Sequence, residues 1–414
     1  MKRRVVITGM GAITSVGNNV SDTWNALAEG KNGIDFITLF DIENSKIKVA
    51  GEVKNFDPLK VINPREARKL DRVIQLALCA SQEAYDQAKL TTGSVDPYRF
   101  GTFVTSGIGG LNTIWEESSV ACLKGMDRMS PFFIPNAIVN LIGGHISIRF
   151  QAKGPNLPVV TACSAGTNSI GEAFRYIRDG YLDVAFAGGA EAPINVLGVG
   201  GFASMRALSP NNDPNNSSMP FDLNRNGFVI AEGSGVLILE DYEHAKSRNA
   251  TIIAEVVGYG STSDAFHMTA PDESAEGINV CMRLAIKDAN ILPEDIGYIN
   301  AHGTSTSLND KIETLGFKKT FGDYAKKVSI SSTKSMTGHA LGATGAIESI
   351  ICVEAIRHGI IPPTINYKTP DPECDLDYTP NQPKKRDLKY AMNVNLGFGG
   401  QNAALIFKRY EEEQ

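Results

Sequence analysis

Three residues combine reactive side chains with settings that favour chemistry: Cys163, His302 and His339. Cys163 ends the run P-V-V-T-A-C-S-A-G, where β-branched residues give way to small ones and then to helical spacing. A thiol at a helix start faces unpaired backbone N–H groups and the positive end of the helix dipole, and both favour the thiolate. Its small neighbours Ala162, Ser164, Ala165 and Gly166 suit a sharp turn that exposes the sulfur. The sequence thus predicts a nucleophile with a lowered pKa. Cys79, Cys122, Cys281 and Cys352 read as small buried apolar residues, and no catalytic role falls to them or to Cys374.

Of the six histidines, His302 (N-A-H-G-T-S-T) and His339 (K-S-M-T-G-H-A-L-G-A) lie in Gly-flanked settings. A helix start at His339 disfavours the imidazolium, and a neutral imidazole can donate an N–H to a developing oxyanion. The competing reading of either is a loop histidine bonded to backbone. Other motif matches fail on context. Cys163 and His302 are spaced as in papain-like proteases, but C-G-x-C-W is missing. Ser331-Ser332-Thr333-Lys334 fits S-x-x-K without the S-D-N or K-T-G that should follow. Gly9-x-Gly11 has Thr14 where a dinucleotide fold wants its third Gly.

Strands must end at these residues and helices must start there. VVITG (5–9), FVTSG (103–107), PVVTA (158–162), DVAFAGG (183–189) and GVLILE (235–240) read as buried strands. Asn63-Pro64 opens a helix carrying Leu70, Ile74, Ala77 and Leu78, and a second helix runs from Ser164 to Gly180. After about residue 250 the α/β rhythm restarts with 251–260, 298–303 and 328–334, then a helix from about Ala340 to His358 and a final strand region. Each half has a strand running through a reactive residue, Cys163 or His339, into a helix, which suggests an internal duplication.

Composition sets the outer limits. The 414 residues are 42% hydrophobic, and 40 Lys+Arg against 46 Asp+Glu give a net charge of -6. This fits a globular chain of two halves, and it argues against nucleic acid or an anionic membrane as a partner held by bulk charge. With no CxxC pair, no secretory signal and no run of 18 apolar residues, reduced thiols and a cytoplasmic address are expected.

Together, T-A-C-S-A-G (161–166), N-A-H-G-T-S-T (300–306), Asp310 with Glu313, K-S-M-T-G-H (334–339) and G-F-G-G (397–400) resemble the condensing enzymes of fatty-acid synthesis, in the β-ketoacyl-acyl-carrier-protein synthase II branch. The resemblance covers essentially the whole chain. It implies an α/β, duplicated thiolase-like fold, a five-layer α-β-α-β-α sandwich with halves at 1–250 and 251–414, in a homodimer. It also implies a Cys-His-His site, where Cys163 holds an acyl chain taken from acyl carrier protein. His302 and His339 then stabilise the enolate left when malonyl-carrier protein loses CO2, and the N–H groups of Cys163 and Phe398 form an oxyanion hole.

By the same resemblance Lys334 and Glu348 order the histidine site, Thr304 and Thr306 bond the pantetheine arm, and Phe398 is a gate. Ile108, Gly198, Phe202 and Leu341 line the acyl pocket, with Phe133 from the partner subunit. No cofactor is required, and a structural monovalent cation is expected near Asn300, Glu348 and Asn393. Val394, Asn395, Leu396 and Gln401 depart from the family's usual choices, as does Ala231. Alternatives are a type II polyketide ketosynthase, a synthase I-like enzyme and a non-catalytic chain-length partner subunit. Carrier proteins are acidic, so a net charge of -6 demands a local basic surface, for which Arg65, Arg68, Lys69, Lys124, Arg128 and Arg206 are the candidates. A solvated helix face, with Glu66 and Asp71 nearby, is the competing reading.

Overall fold

The computed structural model describes residues 2–91 and 93–412. The apolar runs form a nine-stranded sheet: β1 (Val5–Ile13), β2 (Phe100–Thr105), β3 (Val184–Glu191), β4 (Gly233–Asp241), β5 (Ala254–Ser263), β6 (Ile296–Asn300), β7 (Ser329–Ser331), β8 (Tyr390–Gly397) and β9 (Gln401–Arg409). Their order is β2-β3-β4-β1-β5-β9-β8-β6-β7. The two sides repeat one another. β1 pairs antiparallel with β4, β4 antiparallel with β3, and β3 parallel with β2; β5, β9, β8 and β6 pair in the same senses. Among the described residues the strand pairing that joins them is Val5–Ile7 against Ala254–Val256.

The seven longest helices are α1 (Arg72–Gln87), α2 (Leu111–Lys124), α3 (Asn140–Phe150), α4 (Ala165–Arg178), α5 (Glu276–Ala289), α6 (Ser307–Phe321) and α7 (Thr344–His358). α1 and α3 cover the outer face of the first half-sheet, α5 with α6 that of the second, and α4 and α7 lie between the half-sheets. That is the expected α-β-α-β-α layering. Ile170, Phe174 and Ile177 of α4 and Ile347, Ile350 and Ile351 of α7 share the central core with Leu237, Leu239, Leu405 and Phe407. Each such side chain contributes about 1.5–3 kcal/mol on burial. Strands covered on both faces read as unbroken apolar runs, which explains why they were visible in the sequence.

Four local expectations are corrected. PVVTA is not a strand: residues 158–161 carry no regular structure and Ala162 opens a one-turn 3₁₀ segment, while just before them Asn156 bridges Thr102, the place β7 takes in the other half. The helix at Pro64 stops at Ala67, and α1 starts afresh because the Asp71 side chain caps Val73 N–H. The C-terminal region is the hairpin β8–β9. Cys122 is exposed and Cys79 only half-buried, whereas Cys163, Cys281, Cys352 and Cys374 are buried and unpaired. Among the described residues no helix is long and apolar enough to cross a membrane.

Candidate active site

Cys163 sits in a one-turn 3₁₀ segment, Ala162–Ser164, that feeds α4. Ala162 has φ +49°, a left-handed conformation costly for a residue with a Cβ, and it makes the sharp turn the small residues predicted. The same device recurs in the second half. Leu341 has φ +44°, and a 3₁₀ turn over Leu341–Ala343 feeds α7. The counterpart of Cys163 is therefore Gly342, and the expected pairing of Cys163 with His339 as duplicated positions is off by three residues. The two helix starts meet so closely that a Cβ on Gly166 would lie 2.8 Å from Ala346 N, and one on Gly345 2.0 Å from Thr167 Oγ1.

The thiol is not the low-pKa group the helix start suggested. Burial pushes Cys163 up to about 12, against the pull of the Lys334 ammonium and of the Phe398 and Cys163 N–H groups that face the sulfur. Desolvation of a 7% exposed thiol outweighs the helix end.

His302 and His339 are both buried, with ring centroids 5.3 Å apart and planes at 87°. Burial, with Lys334 nearby, holds both imidazoles well below the usual histidine range. They are neutral, as expected for His339, though through desolvation first and not through the helix dipole. The loop carrying His302 is pinned by Glu313, which accepts from His302 N (2.6 Å) and Gly303 N (2.7 Å). His339 is held by its N–H to Val229 O (2.7 Å) and by its Nδ1 at 2.9 Å from Thr344 Oγ1. Lys334, 1% exposed, donates to His302 O (2.5 Å) and Glu348 Oε1 (2.6 Å). Asn395, a departure from the usual residue, donates to Glu348 Oε2 (2.7 Å), lies 3.4 Å from His302 Nδ1 and accepts from Thr167.

Cys163, His302 and His339 open into one cavity of about 360 Å³. Phe202, Leu341, Phe398, Thr304, Thr306 and Arg206 also line it, and the two threonine hydroxyls lie 3.0 Å apart. Ile108 and Gly198 do not reach this space. Ile108 packs in the apolar cluster around Cys163 with Val199 and Leu341, and Gly198 is buried against Pro193 O. Phe133 does not line the cavity; it lies in a short helix beside exposed Phe132 and Ile134. Arg65, Arg68, Lys69, Lys124 and Arg128 are exposed, as is Arg206. Asn300 and Asn393 are register partners on β6 and β8, and both Oδ1 atoms are buried with no hydrogen-bond partner among the described residues. Sequence reasoning missed Asp264, Asn309 and Asn402 in the lining and Glu191 behind it; isolated polar residues outside any motif gave no signal.

The beta-ketoacyl synthase N-terminal domain family matches residues 2–245, and the beta-ketoacyl synthase C-terminal domain family matches 253–368. The chain belongs to the β-ketoacyl synthase family. Within this family it is 47% identical over 409 residues to a 3-oxoacyl-[acyl-carrier-protein] synthase 2 of Coxiella burnetii, covering 99% of each chain. It is 48% identical over 409 residues to that of Staphylococcus aureus, again over 99% of each. Among solved structures, a β-ketoacyl synthase from Burkholderia phymatum superposes with TM-score 0.92 at 35% identity, over 99% of this chain and 100% of that one. So does a chain of a type II polyketide ketosynthase in complex with its acyl-carrier protein, with the same values.

Proposed function

We propose that this β-ketoacyl synthase elongates fatty acyl chains by decarboxylative condensation of malonyl-acyl-carrier protein with an acyl group on Cys163. The observation that carries this reading is the meeting of one thiol with two buried, neutral imidazoles in one cavity. Cys163 Sγ attacks the acyl thioester, its proton leaves with the carrier's thiol, and the chain becomes a protein thioester. Malonyl-carrier protein then loses CO2, and the enolate oxygen takes N–H hydrogen bonds from His302 and His339. With Thr344 donating to His339 Nδ1 and Asn395 to His302 Nδ1, both rings present Nε2–H. The enolate carbon attacks the acyl-Cys carbonyl, whose oxyanion is met by the N–H groups of Cys163 and Phe398. Collapse releases the sulfur, which regains a proton, and leaves a 3-oxoacyl chain two carbons longer on the carrier.

Lys334 holds the His302 carbonyl and is itself held by Glu348, and its ammonium adds to burial in keeping both imidazoles neutral. Thr304 and Thr306, paired at the cavity wall, suit the polar pantetheine arm. Phe398, followed by Gly399 (φ +91°) and Gly400 (φ +74°), suits a gate, since such backbone changes are cheap for glycine. Phe202 and Leu341, which line the cavity, would flank the acyl chain where it leaves Cys163, and Ile108, Gly198 and Phe133 of the partner subunit would meet only a chain that extends beyond that space. A homodimer is supported by the sheet edge beyond β2, where Leu157 and Val160 are exposed, and by exposed Phe132, Ile134 and Ile138. The acyl carrier protein would dock on Arg65, Arg68, Lys69, Lys124, Arg128 and Arg206, the last at the cavity mouth.

The orphaned oxygens of Asn300 and Asn393 fit two ligands of a structural monovalent cation, because neutral amide oxygens suit a hard ion of low charge; the Glu348 carboxylate, expected as a third, is held by Lys334 and Asn395. When bound the cation would balance charge and tie β6 to β8. Saturable stabilisation by potassium or sodium, absent in Asn393→Ala, tests it.

Identity near one half to relatives named 3-oxoacyl synthase 2 favours fatty-acid over polyketide elongation. The retained cysteine and histidines oppose a non-catalytic partner subunit. Incubation with acyl-carrier proteins of graded length and malonyl-carrier protein tests the proposal: wild type should yield 3-oxoacyl products and Cys163→Ala none. Condensation by the alanine variant would overturn the assignment.

A further inference from the structure

We infer that Leu341–Gly342–Ala343 is a second, degenerate copy of the Cys163 elbow, that the Glu191 carboxylate occupies its anion pocket, and that this clasp sets the positions of Ile108 and Leu341 beside Cys163. The consequence for acyl selectivity rests on the function proposed above; the clasp itself does not.

The two elbows share a left-handed residue, Ala162 or Leu341, and a turn closed by an N–H to the carbonyl three residues back: Ser164 N to Thr161 O at 3.1 Å, Ala343 N to Ala340 O at 2.9 Å. Each then starts one of the two central helices. In the first elbow the N–H of Cys163 faces its own sulfur. In the second, the equivalent N–H, that of Gly342, donates to Glu191 Oε2 at 2.9 Å. The same oxygen accepts from Gly107 N at 2.7 Å, and Oε1 accepts from Ile108 N at 3.1 Å and Ser106 Oγ at 2.5 Å. Four donors thus converge on a carboxylate that is 0% exposed, and among the described residues it forms no ion pair. That is how an oxyanion site is built, with a side chain of the protein itself as the anion.

The pocket leaves no room for a second nucleophile. A Cβ on Gly342 would lie 2.3 Å from Gly107 N and 2.8 Å from Glu191 Oε2, and one on Gly107 would lie 2.8 Å from the same oxygen. Gly342 can therefore carry no side chain. The elbow serves to join the loop after β2, which carries Ile108, to the turn that carries Leu341. Both residues pack in the apolar cluster that contains Cys163. Glu191 is thus a positioning residue that holds one apolar neighbour of the Cys163 cluster from each half of the duplicated fold.

Glu191→Ala removes the methylene and carboxylate, a space the size of acetate. The thermal midpoint of this variant is measured against sodium acetate, with acetamide and sodium chloride as controls. Acetate should raise it saturably by several degrees, with acetamide, chloride and the wild type unresponsive. The ratio of Cys163 acylation rates for a long over a short acyl thioester should fall about tenfold or more in Glu191→Ala and return toward wild type in acetate. Glu191→Gln, of the same shape but turning one acceptor into a donor that faces a backbone N–H, should show the same fall without acetate rescue. It also serves if the alanine variant does not fold. An acetate response no larger than that of acetamide, or a wild-type acylation ratio in Glu191→Gln, would overturn the inference. If wild type shows no acylation at all, the proposed function fails while the acetate-dependent midpoint still decides the clasp.

Discussion

Lys334→Met keeps most of a buried side chain's volume and removes its charge. In the wild type the Lys334 ammonium and Glu348 carboxylate are each about 2% exposed and 2.6 Å apart. Removing the ammonium strands a buried carboxylate, which costs about 3–5 kcal/mol. For 414 residues this corresponds to a loss of about 3–6 °C in Tm. Burial already pushes Glu348 above the usual carboxyl range, and without the ammonium it is pushed further. A carboxyl whose folded pKa exceeds its unfolded value contributes stability below the unfolded value and loses it as pH rises through the folded one. The deficit of Lys334→Met against wild type should therefore be small near pH 5 and grow toward pH 8.5. Urea unfolding followed by circular dichroism at both pH values measures it. Adding Glu348→Gln should recover about half or more of the loss at pH 8.5, because no buried charge then remains. A single variant as stable as wild type at pH 8.5, or a double variant no better than the single, would refute the buried pair.

The carbamidomethylation rate of resting Cys163 should rise about tenfold per pH unit between pH 7 and 9, following a thiol held near 12; a plateau below pH 8 would mean a preformed thiolate. His302→Ala and His339→Ala should each lower malonyl decarboxylation by about 10²–10³, with Cys163 acylation largely retained. The wild-type decarboxylation rate should stay flat from about pH 8 to 6, because both imidazoles are already neutral there and protonate only below the ordinary histidine range. Gly345→Ala drives a Cβ to 2.0 Å from Thr167 Oγ1 and should cost about 1–3 kcal/mol or more in thermal unfolding. Gly201→Ala, on an open helix face, should be neutral or gain up to about 1 kcal/mol.

The parts of the fold legible in the sequence are those where burial on both faces leaves an unbroken apolar run, as in β1, β3 and β4, or where helical spacing ends at a glycine, as in α4 and α7. The Cys163 turn was readable from its small neighbours; His339 is neutral as expected, but through burial and the nearby Lys334 ammonium, neither of which a lone sequence shows. The thiol's raised pKa was not readable, because a lone sequence shows the helix end but not the desolvation that opposes it. The register of the duplication escaped for a similar reason. His339 looks like the partner of Cys163 because it is reactive, whereas the backbone aligns Cys163 with Gly342, whose role is to have no side chain. Glu191 gave no signal, since its four donors come from loops that meet only after folding. PVVTA misled because β-branched residues favour extended backbone whether or not a neighbouring strand is present to pair.

The central claim is that the growing chain passes through a thioester on Cys163. Its most direct test loads the protein with an isotopically labelled acyl-carrier protein, removes the excess, and adds malonyl-carrier protein while the Cys163 peptide and the product are followed by mass spectrometry. Labelled acyl-Cys163 should form before malonyl is added, then vanish with the same rate constant as the labelled 3-oxoacyl product, two carbons longer, appears. Product formation while acyl-Cys163 persists, or labelled product from Cys163→Ala, would contradict it.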